Sequence, residues 1–251
     1  VNVLDLFSGI GGLALGLERA GMHTAAFCER EPYCRAVLRR HWPDIPCYDD
    51  VQTLDARRLG ADGISIDAIA GDFPCQDISY AGYGAGLEGD RSGLWYQFAR
   101  LIGELGPDIA VVENVSALLD RGMGAVLGTL SDLRYHALWD TVSACAMGHP
   151  HMRRRVFIVA YAHRLDGWEG FRDSFAREYR ALQTVDRFES ARARQRARLA
   201  NPSQLYGGAD GLPFGMERNR AIGNAVPPSV SETIGRAIMT ALSSAKREDS
   251  K

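Results

Sequence analysis

Val1-Asn2-Val3-Leu4-Asp5-Leu6-Phe7-Ser8-Gly9-Ile10-Gly11-Gly12 opens the chain, and its reading decides the rest. The first six residues are apolar apart from Asn2 and Asp5 and fit a short buried strand. The glycine-rich turn behind them lets the backbone approach a ligand closely, and the helix start that follows supplies amide donors. Ile10, Leu13, Ala14 and Leu17 then recur at helical spacing, up to a stop at Ala20-Gly21. Strand, glycine-rich turn and helix make the opening of a nucleotide-binding βα unit. Thr24 to Cys28 reads as a second strand. It ends in Glu29, about 20 residues beyond the first glycine, where an acid binds ribose hydroxyls.

Outward from this unit the alternation continues. Pro32 to Arg40 fits a helix with proline in its first turn. Asp49-Asp50-Val51 stands where a third strand would finish. Ile66 to Ala70 is an apolar run expected to be a buried strand ended by Gly71, and it delivers Asp72-Phe73-Pro74-Cys75-Gln76. A cysteine just past the carboxyl end of such a strand lies where open α/β sheets bind their ligands. Pro74 has no amide donor and a fixed φ, which stiffens the turn presenting the thiol. Most thiols are small core residues, but this one is placed as a nucleophile. Tyr80 to Asp90 is a glycine-rich loop, and loops of such length inside a compact domain are usually functional. Ser92 is expected to cap a helix with Leu94, Phe98, Leu101, Ile102 and Leu105 on its inner face, closed by Gly106-Pro107. Ile109 to Val112 reads as a strand carrying Glu113-Asn114 at its end. Met123, Val126, Leu127, Leu130 and Leu133 form another helix face, and His136–Val142 and Val156–Ala160 two more strands. The count, six or seven strands with alternating helices, predicts a doubly wound, Rossmann-like α/β sheet.

The sequence has 251 residues, 46% hydrophobic and 24% charged, with a formal net charge of −2. These values suit one large domain with at most a small appendage, and they provide no global basic field for nucleic acid. The five cysteines form no CxxC pair and no zinc-like cluster, so reduced thiols and no metal site are expected. No apolar run approaches the roughly 20 residues of a membrane span. With a strand expected from Val1, no signal peptide is expected either. Near His163 the alternation stops. Residues 164–200 are rich in arginine, with Phe171, Phe175 and Tyr179 at helical spacing. From Ala221 the chain becomes compact again, and Gly223-Asn224-Ala225-Val226-Pro227-Pro228 leads into a helix carrying Val230, Ile234, Ala237, Ile238 and Ala241. The expected organisation is one α/β domain over 1–163, a small appended subdomain over 164–215, and a segment over 216–251 returning to the first.

Five motifs in order resemble the DNA cytosine-5 methyltransferase family. Asp5-Leu6-Phe7-Ser8-Gly9-Ile10-Gly11-Gly12 resembles its cofactor motif, Phe73-Pro74-Cys75-Gln76 its catalytic Pro-Cys motif, and Glu113-Asn114-Val115 its E-N-V. His151-Met152-Arg153-Arg154-Arg155 is similar to Q-x-R-x-R, and Gly223-Asn224-Ala225-Val226 to the final G-N-x-V. The resemblance implies an S-adenosylmethionine site at Phe7, Gly9, Gly11 and Gly12, with Glu29 on the ribose, Asp50 on the adenine amine, and Pro74, Leu94 and Asn224 lining it. Two departures stand out. Arg30 replaces the aromatic that often follows the ribose acid, and His151 replaces the glutamine.

The implied chemistry is methyl transfer to carbon 5 of a cytosine flipped out of double-stranded DNA. Cys75 adds to carbon 6, Glu113 bonds ring nitrogen 3 and the exocyclic amine and must hold or share a proton, and Arg155 faces the carbonyl oxygen. Arg153 steadies the cysteine and phosphate side, and the 80–90 loop closes behind the base. The arginines of 164–215 are expected to face DNA. The resemblance further implies a cytoplasmic monomer in a restriction-modification or phage-protection role, with room for a cognate restriction endonuclease. Other readings stay open at this point: a nicotinamide or flavin enzyme built on the glycine turn, a DNA-binding relative with impaired catalysis, and a tRNA-directed relative.

Overall fold

The computed structural model describes residues 1–74, 93–143, 154–165, 173–174, 177 and 225–248, with side chains to residue 243. In chain order it contains β1 (Asn2–Leu6), α1 (Gly12–Arg19), β2 (His23–Cys28), α2 (Pro32–His41), β3 (Cys47–Tyr48), α3 (Ala56–Ala61) and β4 (Ala68–Asp72). Then come α4 (Leu94–Leu105), β5 (Ile109–Val115), α5 (Leu118–Arg121), α6 (Met123–Asp132), β6 (Tyr135–Ser143), β7 (Arg154–Ala162) and α7 (Pro228–Glu248).

The described strands form one seven-stranded sheet in the order β3-β2-β1-β4-β5-β7-β6. β1 runs parallel to both its neighbours, β2 and β4. The chain leaves β1 first to one side and then to the other, so the order reverses beside β1. The carboxyl ends at such a reversal open a crevice where doubly wound sheets bind ligands. β7 is inserted antiparallel between β5 and β6. Its first residues, Arg154 and Arg155, therefore lie at the same edge of the sheet as the end of β5.

Helices cover both faces. Trp95, Phe98 and Leu101 of α4 and Val126 and Leu130 of α6 pack with Leu4, Ile69, Ala110 and Val112. On the other face Leu13 and Leu17 of α1 and Val230, Ile234 and Ile238 of α7 pack with Val3, Ala68, Ala70, Ile109 and Val111. Burial on both faces explains why β4 and β5 read as continuous apolar runs rather than alternating ones.

Three details differ from the sequence reading. Gly71 does not end β4 but lies inside it; a Cβ there would stand 2.4 Å from the Leu6 carbonyl oxygen, so the missing side chain permits close strand approach. β5 runs on through Val115, because β7 supplies ladder partners as far as Arg155. The helices α3 and α5 were not foreseen: with six and four residues and one buried side chain each, they carry no readable period. The residue before α4 is Gly93, and the expected cap Ser92 lies outside the described residues. So do the 80–90 loop and almost all of the 164–215 segment.

α1 and α7 meet along a seam of small residues. A Cβ on Gly16 would stand 2.2 Å from the Pro228 carbonyl oxygen and 2.6 Å from the Glu232 amide, both backbone atoms that cannot yield without moving the helix. Gly16→Ala is thus expected to push α7 outward and cost about 1–3 kcal/mol of stability, read as a lower urea midpoint. An unchanged midpoint would mean the two helices are free to slide.

Candidate active site

The turn after β1 departs from ordinary backbone geometry. Phe7 has φ 53°, a left-handed conformation rare for a side chain of its size, and Gly9 and Gly11 follow at 54° and 82°. Ser8 fixes the bend by donating its hydroxyl to the Asp5 carbonyl at 2.6 Å. Glu29, buried at the end of β2, holds the turn from the neighbouring strand. Its Oε2 accepts the Gly9 amide and its Oε1 the Glu31 amide, each at 2.7 Å. The structure thus joins two residues that the sequence placed in one cofactor site. Among the described residues, nothing lies within 4 Å of where a Cβ on Gly9 would stand. Gly11 lacks a side chain for another reason, since a Cβ there would strike the Trp42 ring. Gly12 likewise makes room for the Val226 carbonyl, 2.2 Å from where its Cβ would stand.

Asp50 lies just past β3, where its Oδ1 accepts the Gln52 amide at 2.9 Å. Leu94 begins α4 and packs on the core below it. At the end of β4, Phe73 is fully buried against Trp95, with ring centroids 5.5 Å apart. Its carbonyl accepts a 3.1 Å hydrogen bond from Asn114 Nδ2. Asn114 is itself fully buried, and its Oδ1 accepts the Val115 amide at 2.8 Å. Ring and amide together fix the Phe73-Pro74 turn. Asn114 had no assigned role in the sequence; the signal available was an amide in an apolar strand, which must find partners when buried.

On the opposite face of β5, the fully buried Glu113 meets the chain's other end of the site. Arg155 Nε stands 3.0 Å from Glu113 Oε1. Phe7, Gly9, Gly11, Gly12, Glu29, Asp50, Pro74, Leu94, Glu113 and Arg155 all fall along the carboxyl edge of the parallel strands. Cys75, Arg153 and Asn224 lie outside the described residues.

A family model described as C-5 cytosine-specific DNA methylase matches residues 1–201. This chain belongs to that family. Among curated relatives of this chain, the type II methyltransferase M2.BsuMI of Bacillus subtilis is 39% identical over 168 residues, covering 64% of this chain and 42% of that protein. M.Eco47II of Escherichia coli is 36% identical over 170 residues, 65% of this chain and 40% of the relative. The chain thus spans about two fifths of the length of these relatives. In fold, it is similar over 97% of its length to a structure described as a prophage-encoded DNA modification methyltransferase from E. coli, with a TM-score of 0.69 at 20% identity. A DNMT2 from Spodoptera frugiperda matches 66% of the chain with a TM-score of 0.55 at 19% identity.

One residue at this edge of the sheet stands apart from these assignments. Asp5 is fully buried, and neither carboxylate oxygen has a hydrogen-bond partner. Burial first, then the charges of Glu29 and Glu18, hold its pKa well above the ordinary 3.8. The folded protein therefore keeps a proton that the unfolded chain releases. This cost is absent below the unfolded value and grows as pH rises towards the folded one. Without cofactor, Asp5→Asn should match the wild type in stability at about pH 4, where an unperturbed aspartate titrates, and exceed it increasingly towards neutral pH. Urea midpoints measured across that range test this, and parallel curves would count against it.

Proposed function

We propose that the protein is a DNA cytosine-5 methyltransferase acting on a cytosine turned out of double-stranded DNA, with S-adenosylmethionine as methyl donor. The observation that carries this reading is the ion pair of Glu113 and Arg155 at the sheet edge, one strand away from the rigid turn that leads into Cys75. A buried carboxyl beside a guanidinium fits recognition of the amine, ring nitrogen and carbonyl of cytosine.

The residues present also fit the donor. The left-handed glycine turn and the acids Glu29 and Asp50 suit a ligand carrying a ribose and an adenine. Phe7, Gly9, Gly11, Gly12, Glu29, Asp50, Pro74, Leu94 and Asn224 would hold it, and it would supply a methyl group activated on a sulfonium. Both Glu29 oxygens already accept an amide, and a carboxylate has lone pairs left for ribose hydroxyls. Glu29→Ala should remove those bonds and release the turn, an effect of about 1.5–3 kcal/mol. That is roughly a ten- to hundredfold loss of donor affinity by calorimetry, with DNA affinity unchanged. Unaltered donor binding would mean the acid has been misassigned.

On the substrate side, the thiolate of Cys75 adds to carbon 6 of the base and makes carbon 5 nucleophilic. Glu113 supports the charge on the ring from the amine and nitrogen side, and Arg155 faces the carbonyl oxygen. After methylation a base removes the carbon 5 proton and Cys75 departs. Residues 1–163 and 216–251 form the catalytic unit in this reading, and the arginines of 164–215 approach DNA phosphates. A monomer acting in the cytoplasm, for restriction-modification or phage protection and with or without a cognate restriction endonuclease, accords with it. No described helix is long and apolar enough to cross a membrane. Bisulfite sequencing of a plasmid from an expressing host should reveal protected cytosines in one sequence context. A plasmid converted at every cytosine, from cells containing the folded protein, would refute the proposal.

A further inference from the structure

The catalytic edge holds a second acid that no motif explains. Ala68 and Ala70 of β4, Ile109 and Val111 of β5, and Phe157 and Val159 of β7 share one apolar core. Side chains alternate along a strand, so Asp72, Glu113 and Arg155 extend these three rows to the carboxyl edge on the same face. Asp72 and Glu113 are direct ladder partners, on strands about 4.8 Å apart. Arg155 approaches Glu113 from the other side, at 3.0 Å. Glu113 therefore sits between an acid on β4 and a guanidinium on β7.

Among the described residues, the elements packed against this face add little charge, and Asp140 of β6, opposite Phe157, lies a further strand away. Asp5 extends the Val3 row on β1, but its ladder partner is Ala70, two residues short of Asp72. The buried residues of α1 are Leu13, Ala14, Gly16 and Leu17, and those of α7 are likewise without a titratable side chain. Glu232 of α7 is paired with Arg236.

We propose that Asp72 is a positioning residue that keeps a proton on Glu113 when the base is bound. This rests on the cytosine-5 methyltransferase reading above. Arg155 alone would hold Glu113 ionised, and an ionised carboxylate opposes ring nitrogen 3, which is an acceptor. A like charge on the adjacent strand acts in the other sense and favours the neutral acid. When Arg155 turns towards the carbonyl oxygen of the base, Asp72 becomes the nearest charge on the ladder, and the two carboxyls share one proton. Glu113 then donates it to ring nitrogen 3 as Cys75 adds to carbon 6, and recovers it when Cys75 departs. Asp72 itself does not touch the base.

The test is the pH profile of single-turnover methyl transfer with saturating donor and duplex. Asp72→Asn should move the alkaline limb to lower pH by about one unit or more. On that limb, at about pH 8, the rate then falls roughly tenfold for every pH unit the limb has moved, while KM for donor and DNA stays within a factor of about two. Asp72→Ser, which removes the charge with a smaller side chain, should displace the limb equally, and Asp72→Glu should restore it. A limb unmoved in both neutral variants overturns the inference, even if their rates fall uniformly, because a purely structural role lowers the rate without changing the profile. Wild-type protein that neither transfers a methyl group nor forms a 5-fluorocytosine adduct would instead sink the underlying reading, and this inference with it.

Discussion

Cys75→Ser abolishes methyl transfer and, with a duplex carrying 5-fluorocytosine at the target, leaves no denaturation-resistant protein–DNA adduct. This is the expected result if the Cys75 thiolate bonds carbon 6. Fluorine at carbon 5 cannot leave as a proton, so the wild-type enzyme stays attached after methylation. A hydroxyl at the same place is scarcely ionised and cannot replace the thiolate. Cys145→Ser should leave both readouts intact. An adduct that survives Cys75→Ser would require another nucleophile. The turn leading to Cys75 is fixed by the Phe73 ring and by the Asn114 bond, so the serine variant should fold normally and keep its affinity for DNA.

The second large effect concerns Glu113. Glu113→Gln retains the size and hydrogen-bonding capacity of the side chain but removes the proton it can share with the base. Loss of one preorganised stabilising group at a developing charge typically costs a factor of about 100 to 1000 in rate. The substitution also leaves Arg155 without its 3.0 Å counter-charge. Turnover should therefore collapse while donor affinity, set at the glycine turn, is unchanged. A variant with near-normal single-turnover rate would show that charge on the ring is stabilised elsewhere.

The parts of this molecule that sequence could reveal are those governed by local chemistry. The strand, turn and helix of the first 20 or so residues are legible because apolar spacing and glycine placement act over a few residues. The proline before Cys75 and the acid closing β2 are legible for the same reason. The insertion of β7 between β5 and β6 is not, because neighbours in a sheet are chosen by long-range packing. The ion pair of Glu113 and Arg155 depends on that insertion: both residues were named from motifs, yet only the antiparallel register places Arg155 opposite Val115 and beside Glu113. Phe7 resembles any apolar residue until its φ of 53° is seen. Asp5 was visible as an acid in a strand, but whether it would find a partner was decided by what packs around it. α3 and α5 were too short to show a period. Gly71 is ambiguous in sequence because glycine ends strands and also lets them approach, and only the Leu6 carbonyl distinguishes the two.

The seam between α1 and α7 sets a timetable for biosynthesis. α1 ends at Arg19 and α7 begins at Pro228, so the helix that follows the glycine turn emerges from the ribosome long before the helix that covers it. At elongation rates of about 5–20 residues per second, the roughly 200 intervening residues take on the order of 10–40 s. Throughout that interval the apolar face of α1, with Leu13 and Leu17, lacks its partner. Until α7 arrives that face has only the sheet to pack on, and the backbone of Val226 that abuts Gly12 behind the glycine turn belongs to the last part of this layer to be made.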